Sequence, residues 1–294
     1  MASVVKNDST HRVPGYSSLR KNLLHLAPRL ANLPQEVKDD LEDPSSRYNI
    51  GWSHGKETLE SGKPGTHHIV DQIYGPKAHY QNLNWLTKFR NFYAFIKLRP
   101  EVPYMTTVSK GMKVHKDEGL ESILTRSRCH KGRLLYYFPA QQGIPGGNSM
   151  SSWCGWHTDN GSLTGLTCGI FTRDGVEIPC PDSSAGLYIR TRNDQIVKVV
   201  FGADDIAYQI GETAEILSGG ILRATPHCVQ APKGEESSGV ERSTFALFMQ
   251  PDWDEKLSFP EEVHIHKELI PSNASLTYGE YSEMVLDKYY EKKQ

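Results

Sequence analysis

Trp156-His157-Thr158-Asp159-Asn160-Gly161 is the stretch on which the reading of this chain turns. In extended backbone, side chains two residues apart project from the same face, so the imidazole of His157 and the carboxylate of Asp159 can converge on one point. Further along, Thr225-Pro226-His227 supplies a second imidazole between two strand candidates. Two imidazoles and one carboxylate are the facial set that holds Fe(II) while leaving positions open for other ligands. Beyond it, Arg242-Ser243-Thr244 opens the run Phe245-Ala246-Leu247-Phe248-Met249. Arg242 and Thr244 share a strand face, where a guanidinium and a hydroxyl can grip one carboxylate together. Taken singly, these features are weak: a lone His is more often a satisfied core or surface residue, and Arg242 beside Glu241 is by default a solvated charge. Their order within one run of short strands is what carries the argument.

Outward from this stretch the chain reads as β-structure. Leu134-Leu135-Tyr136-Tyr137-Phe138 is an apolar run with the composition of a buried strand, ended by Pro139. Strands are expected at 185–190, 196–201, 206–210, 214–217 and 243–249. Turn-forming clusters such as Arg192-Asn193-Asp194, Gly202-Ala203-Asp204 and Ser218-Gly219-Gly220 separate them. Many short strands at this spacing point to a sandwich or jelly-roll barrel. Upstream the character is helical: Leu23, Leu24, Leu26 and Leu30 give a partial apolar face, and Leu33-Pro34-Gln35-Glu36 reads as a helix start. Residues 43–79, rich in Gly, Pro, Ser and His, read as a long loop. Residues 82–98 carry Trp85, Phe89, Phe92 and Ile96 at the spacing of a core-packing helix, and a further helix is expected over 112–125.

The ordered set resembles the iron(II)- and 2-oxoglutarate-dependent dioxygenases, in their isopenicillin N synthase-like branch. His157-Thr158-Asp159-Asn160-Gly161-Ser162-Leu163-Thr164 looks like that family's HxDxGxxT segment. Ala185-Gly186-Leu187-Tyr188-Ile189 looks like its glycine-leucine strand, and 211–220 like the segment before the distal histidine. Arg133-Leu134-Leu135-Tyr136-Tyr137-Phe138-Pro139 resembles the strand that gives a tyrosine to the cosubstrate. The resemblance implies a mainly β fold with flanking helices, built on a double-stranded β-helix core at 131–255. A helical and loop region at 1–130 would precede the core, and a helical C-terminal extension at 256–294 would follow it. It implies that His157, Asp159 and His227 bind iron and that Arg242, Thr244 and Tyr137 hold the distal carboxylate of 2-oxoglutarate. The expected reaction is an O2-dependent oxidation, hydroxylation or desaturation, of a small organic molecule. Succinate and CO2 would be released, with ascorbate as a further candidate reductant.

The chain departs from the family pattern in places. Leu135 stands where an asparagine is usual, Thr244 replaces the usual serine, and the stretch 168–184 is longer than usual. The family's opening β-α unit is not recognisable in residues 1–30. Two alternatives therefore stay open here: an oxidase with the same triad but no 2-oxoglutarate, and a truncated, non-catalytic member that binds a ligand or partner.

Composition narrows the class. A formal net charge of -2, from 33 basic and 35 acidic residues, makes no electrostatic case for a nucleic-acid or membrane partner. Five cysteines without a CxxC pair read as free thiols in a reducing compartment, and with no apolar leader or membrane-length segment the expected location is cytoplasmic. Cys154 and Cys228 adjoin metal-ligand candidates and are expected to be simply buried. His264-Ile265-His266 has no third ligand nearby and reads as surface or edge strand; His67-His68 reads as solvated loop. The sequence gives neither the substrate nor an oligomeric state.

Overall fold

The architecture is that of a computed structural model, described here for residues 2–5, 15–54, 56, 119–139 and 152–289. In chain order the strands are β1 (Ala2–Val5), β2 (Lys131–Tyr137), β3 (Ser152–His157), β4 (Leu163–Thr167), β5 (Ile170–Arg173), β6 (Val176–Ile178), β7 (Gly186–Arg190), β8 (Ile196–Lys198), β9 (Ile206–Ile210), β10 (His227–Gln230), β11 (Glu241–Met249), β12 (Lys256–Ser258) and β13 (Ser275–Thr277). The helices are α1 (Tyr16–Leu24), α2 (Ala27–Ala31), α3 (Gln35–Leu41), α4 (Leu120–Arg126), α5 (Glu212–Leu217) and α6 (Tyr278–Tyr289). The expected helix over 82–98, the first half of the one over 112–125, and His67-His68 lie outside the described residues.

Two antiparallel sheets make the core: a seven-stranded sheet and a four-stranded sheet in the order β3-β10-β7-β8. This is the double-stranded β-helix that the family resemblance implies, within the sandwich or jelly-roll class the strand pattern points to. Strand β11 is the axis of the larger sheet. Along one side it pairs with β2 over its whole length, from Arg242 opposite Tyr137 to Phe248 opposite Lys131. Along the other side it pairs first with β5 and then with β4, which lie end to end. Thr244 and Phe245 stand opposite three residues, 167–169, so the β4–β5 junction is a β-bulge.

Strand periodicity decides what each face does. Phe245 and Leu247 of β11, with Leu134 and Tyr136 of β2, point outward and are covered by Tyr16, Leu23 and Leu24 of α1 and by Ala27 and Ala31 of α2. Burying Phe245 and Leu247 completely stabilises the fold by roughly 2 kcal/mol each. The alternate residues, Leu135, Tyr137 and Ala246, point inward and meet Trp153, Cys154, Leu187 and Val229 of the smaller sheet. Sequence spacing explains α1: Tyr16, Arg20, Leu23 and Leu24 fall on one helical face, and all four are buried.

Three expectations change. The run 214–217 is not a strand but part of helix α5, all six residues of which are buried. A short, wholly buried apolar run carries no periodicity that separates strand from helix. The helix start is also fixed by tertiary bonds, since the Glu212 and Thr213 N–H groups donate to the carbonyls of Asp159 and Gly161 at 2.8 and 3.1 Å. The stretch 168–184 forms a hairpin of β5 and β6 that extends the larger sheet. Residues 1–30, where no opening unit was recognisable, supply edge strand β1, antiparallel to β9, and helix α1.

Candidate metal centre

Adjacent strands of the smaller sheet bring the two imidazoles together. His157 ends β3 and His227 begins β10; the two are cross-strand partners, with ring centroids 4.1 Å apart. Asp159 lies in the turn just after β3 rather than within a strand, so it is the turn, and not strand alternation, that swings its carboxylate back. That turn is locked against α5 by the Glu212 and Thr213 bonds and by a 2.9 Å bond from Gly211 N–H to the Ser162 carbonyl. A Cβ on Gly211 would sit 2.2 Å from the Gly161 oxygen, so only glycine permits this approach.

Backbone carbonyls aim the candidate ligand atoms. Nδ1 of His157 lies 2.9 Å from the Gly155 carbonyl and Nδ1 of His227 lies 2.9 Å from the Thr225 carbonyl. Each imidazole therefore donates from Nδ1 and turns its Nε2 inward. Both Nε2 atoms face Asp159 Oδ1, at 3.8 Å for His157 and 3.7 Å for His227. The other carboxylate oxygen, Oδ2, is occupied by Thr164 Oγ1 at 2.6 Å and Gln209 Nε2 at 2.8 Å. One ligand atom from each residue lies within 4.8 Å of the others, and this is the one such cluster found among the described residues. Two imidazole nitrogens and a carboxylate oxygen converging on one point suit a divalent first-row metal.

Protonation follows from these neighbours. Burial and the His157 ring beside it hold His227 low, to about 4, against the pull of Asp159. Burial also opposes charge on His157, but Cys154, Asp159 and the Gly155 carbonyl outweigh it and raise this group to about 10. Burial resists ionisation of Asp159; the two imidazoles, Thr164 and Gln209 overcome it and hold the carboxyl below its usual range.

A cavity of about 160 Å³ opens on this cluster and runs along the inward face of β2 and β11. Tyr137, Arg242 and Thr244 line it together with the three candidate ligands. Arg242 is 8% exposed, its Cζ lies 5.1 Å from the centroid of the Tyr137 ring, and its buried Nη1 has no hydrogen-bond partner among the described residues. Thr244 Oγ1 donates to the Thr167 carbonyl at 2.8 Å. Burial raises the Tyr137 phenol above its usual range, with Arg242 opposing, so the group stays a neutral donor. A buried guanidinium nitrogen without an acceptor is costly unless a ligand completes it, and a carboxylate is the natural complement.

No family model and no curated protein matches the sequence. Solved structures do. A full-length Neurospora crassa protein, solved in complex with alpha-KG, superimposes with a TM-score of 0.64 at 18% identity over 97% of this chain and 86% of its own. The rice dioxygenase for auxin oxidation gives 0.59 at 16% identity over 98% and 85%. A protein assigned to the 2OG-Fe(II) oxygenase family from Caulobacter crescentus gives 0.53 at 16% identity over 98% and 89%. The fold is that of the 2OG-Fe(II) oxygenases. Within this oxygenase fold the six residues singled out from sequence, Tyr137, His157, Asp159, His227, Arg242 and Thr244, share one cavity.

Four contributors were not read from sequence as site residues. Gln209 and Thr164 hold Asp159 Oδ2, and Gln209 Nε2 also lies 3.0 and 3.4 Å from the two nitrogens of the His227 ring, which places it over the ring face. Glu212, completely buried, accepts from Thr158 between the two ligands and from Tyr281 at 2.6 Å, and lies 3.1 Å from His266 Nε2. His266 is therefore a partner of Glu212 rather than a surface or edge-strand residue, whereas His264 is exposed. Gly169, the last residue of the β-bulge, lies against the Arg242 guanidinium. The sequence marks for these residues are faint: Gln209 and Thr164 fall on strands, but nothing in their spacing shows what they touch. Cys154 and Cys228 are buried, as expected; burial pushes the Cys228 thiol up to about 11, far from a reactive thiolate.

Proposed function

We propose that this protein is an Fe(II)- and 2-oxoglutarate-dependent oxygenase acting on a small organic molecule. One observation carries the reading: a single cavity presents a preorganised two-histidine, one-carboxylate cluster and, on the same walls, a buried arginine nitrogen without an acceptor among the described residues. The neighbours support it, since one was solved with alpha-KG, and another with JA beside 2OG and Fe. His157, Asp159 and His227 would hold the iron through Nε2, Oδ1 and Nε2. Arg242, with Tyr137 beside it, would receive the distal carboxylate of 2-oxoglutarate. Iron and keto acid, when bound, couple O2 reduction and keto-acid decarboxylation to succinate and CO2 with oxidation of a substrate C–H bond.

The chain's own residues place and protect that chemistry. The backbone carbonyls of Gly155 and Thr225 keep both imidazoles in the tautomer that leaves Nε2 free. Thr164 and Gln209 hold Oδ2 so that Asp159 presents Oδ1. Among the other lining residues, which include Lys131 and Arg133, the apolar Leu135, Leu166, Leu187, Val229, Ala246 and Phe248 would keep water from the reacting centre.

The test is anaerobic reconstitution with Fe(II), followed by 2-oxoglutarate, reading the visible metal-to-ligand charge-transfer band of the chelate. Wild type should show the band, and Arg242→Ala should need far more keto acid to reach it. Iron retained without a band would transfer the assignment to an oxidase that uses no 2-oxoglutarate. Retention of neither would leave a ligand-binding, non-catalytic protein.

A further inference from the structure

The β-bulge between β4 and β5 does more than interrupt a strand. Its three residues, 167–169, face Thr244 and Phe245, and each does something different for the anion end of the cavity. Thr167 is doubly bonded to β11: its carbonyl accepts from Thr244 Oγ1 at 2.8 Å and its Oγ1 accepts from Phe245 N–H at 3.0 Å. Cys168 is tied outward, its carbonyl accepting from Arg20 Nε of α1 at 2.7 Å; Arg20 is itself buried. Gly169 offers bare backbone to the Arg242 guanidinium. A Cβ there would lie 2.9 Å from Nε, 3.0 Å from Cζ and 3.0 Å from Nη2, closer than side-chain packing allows. These atoms form one edge of the guanidinium, and Nη1, the nitrogen with no partner among the described residues, is not among them. Because β2 and the bulge flank β11 on opposite sides, the Tyr137 ring and Gly169 hold the group between them.

We infer that Gly169 is a positioning residue for cosubstrate binding: the missing side chain is the seat that aims Arg242 Nη1 at the distal carboxylate of the keto acid, and Arg20 pins that seat from α1. The inference rests on the 2-oxoglutarate reading above. Its consequence is specific. A side chain at 169 collides with the far end of a flexible arginine rather than with backbone, so the fold accommodates it by displacing the guanidinium, and the cost falls on the carboxylate that the guanidinium should meet.

The experiment titrates two keto acids into the anaerobic Fe(II) protein and reads the chelate band. 2-Oxoglutarate carries the distal carboxylate; pyruvate has the same chelating end and lacks it. Gly169→Ala should raise half-saturation by 2-oxoglutarate about tenfold, the loss of one charge-assisted hydrogen bond, and Gly169→Val should raise it further. Pyruvate half-saturation, Fe(II) affinity and the thermal midpoint should stay at their wild-type values. Arg20→Met, which frees the Cys168 carbonyl and leaves residue 169 intact, should give the same selective loss at smaller size. Unchanged 2-oxoglutarate binding in the Gly169 variants overturns the inference, as does an equal loss for pyruvate, which would mark a general distortion. If Gly169→Ala does not fold, Arg20→Met decides by the same two titrations. A wild-type protein that gives no band with either keto acid defeats the underlying reading instead, so the two failures are told apart.

Discussion

The proposed metal end of the cavity is already partnered, and the proposed anion end is not. At the first, every ligand has its non-ligating atom occupied: Nδ1 of each imidazole meets a backbone carbonyl, and Asp159 Oδ2 takes bonds from Thr164 and Gln209. At the second, Arg242 lies against the Tyr137 ring and the bare backbone of Gly169, and its Nη1 has no hydrogen bond among the described residues. The position in the fold explains the difference. The ligands sit at strand ends and in a turn, where carbonyls are free to orient side chains. Arg242 lies within the longest strand, whose backbone groups are spent on β2 and β5. On the proposed reading, an end that is complete except for an ion selects a metal by geometry, and an end with a buried, unpaired cationic nitrogen selects a ligand by charge.

The largest expected effect breaks the first end outright. His157→Ala or Asp159→Ala removes one of three ligands, and purified protein should lose stoichiometric iron, measured by metal analysis after gel filtration, together with all turnover. Full iron content in either variant would mean the cluster is not the metal site. Next in size, Arg242→Ala should weaken 2-oxoglutarate about a hundredfold, the upper range for charge-assisted hydrogen bonds, with Fe(II) affinity unaltered. If both affinities fell together, the two ends would be one mechanical unit and the contrast drawn above would fail.

Gln209→Leu tests whether the partners at the metal end matter as partners. Groups that orient ligands typically account for ten- to hundredfold in metal affinity. Here a loss of about tenfold is expected, at the lower end, because Thr164 keeps its hold on Asp159 Oδ2. Titration with Co(II) measures it without turnover, and an affinity equal to wild type would reduce Gln209 to packing.

The same contrast explains what could be read from residues alone. His157, Asp159 and His227 stand out in the sequence because metal chemistry needs those side-chain types, Arg242 and Thr244 because strand alternation puts both on one face, and the structure gathers all five in one cavity. What escaped depends on register and tertiary bonding. The bulge at 167–169 exists only relative to β11, so nothing in Thr167-Cys168-Gly169 itself announces it. Helix α5 was read in part as a strand because its core is continuously buried and its first N–H groups are capped by the turn around Asp159, not by its own sequence. Gln209 is an ordinary strand residue until β9 lies beside β4 and brings it to Asp159. Strand β1 is four residues long and is specified by the edge of β9 that it joins.

The smallest effect discriminates most finely at the anion end. Tyr137→Phe keeps the ring against which Arg242 rests and removes only the hydroxyl. If the tyrosine acts mainly as a wall, its ring centroid 5.1 Å from Arg242 Cζ, the guanidinium keeps its aim. 2-Oxoglutarate half-saturation should then rise only about threefold, within the range for one neutral hydrogen bond. Tyr137→Ala, which removes the wall as well, should approach the Arg242→Ala loss. Equal effects from the two Tyr137 variants would assign the binding to the phenol rather than to the stacked guanidinium. Gly169 would then lose its significance as the opposite wall, because there would be nothing for the two to hold in place.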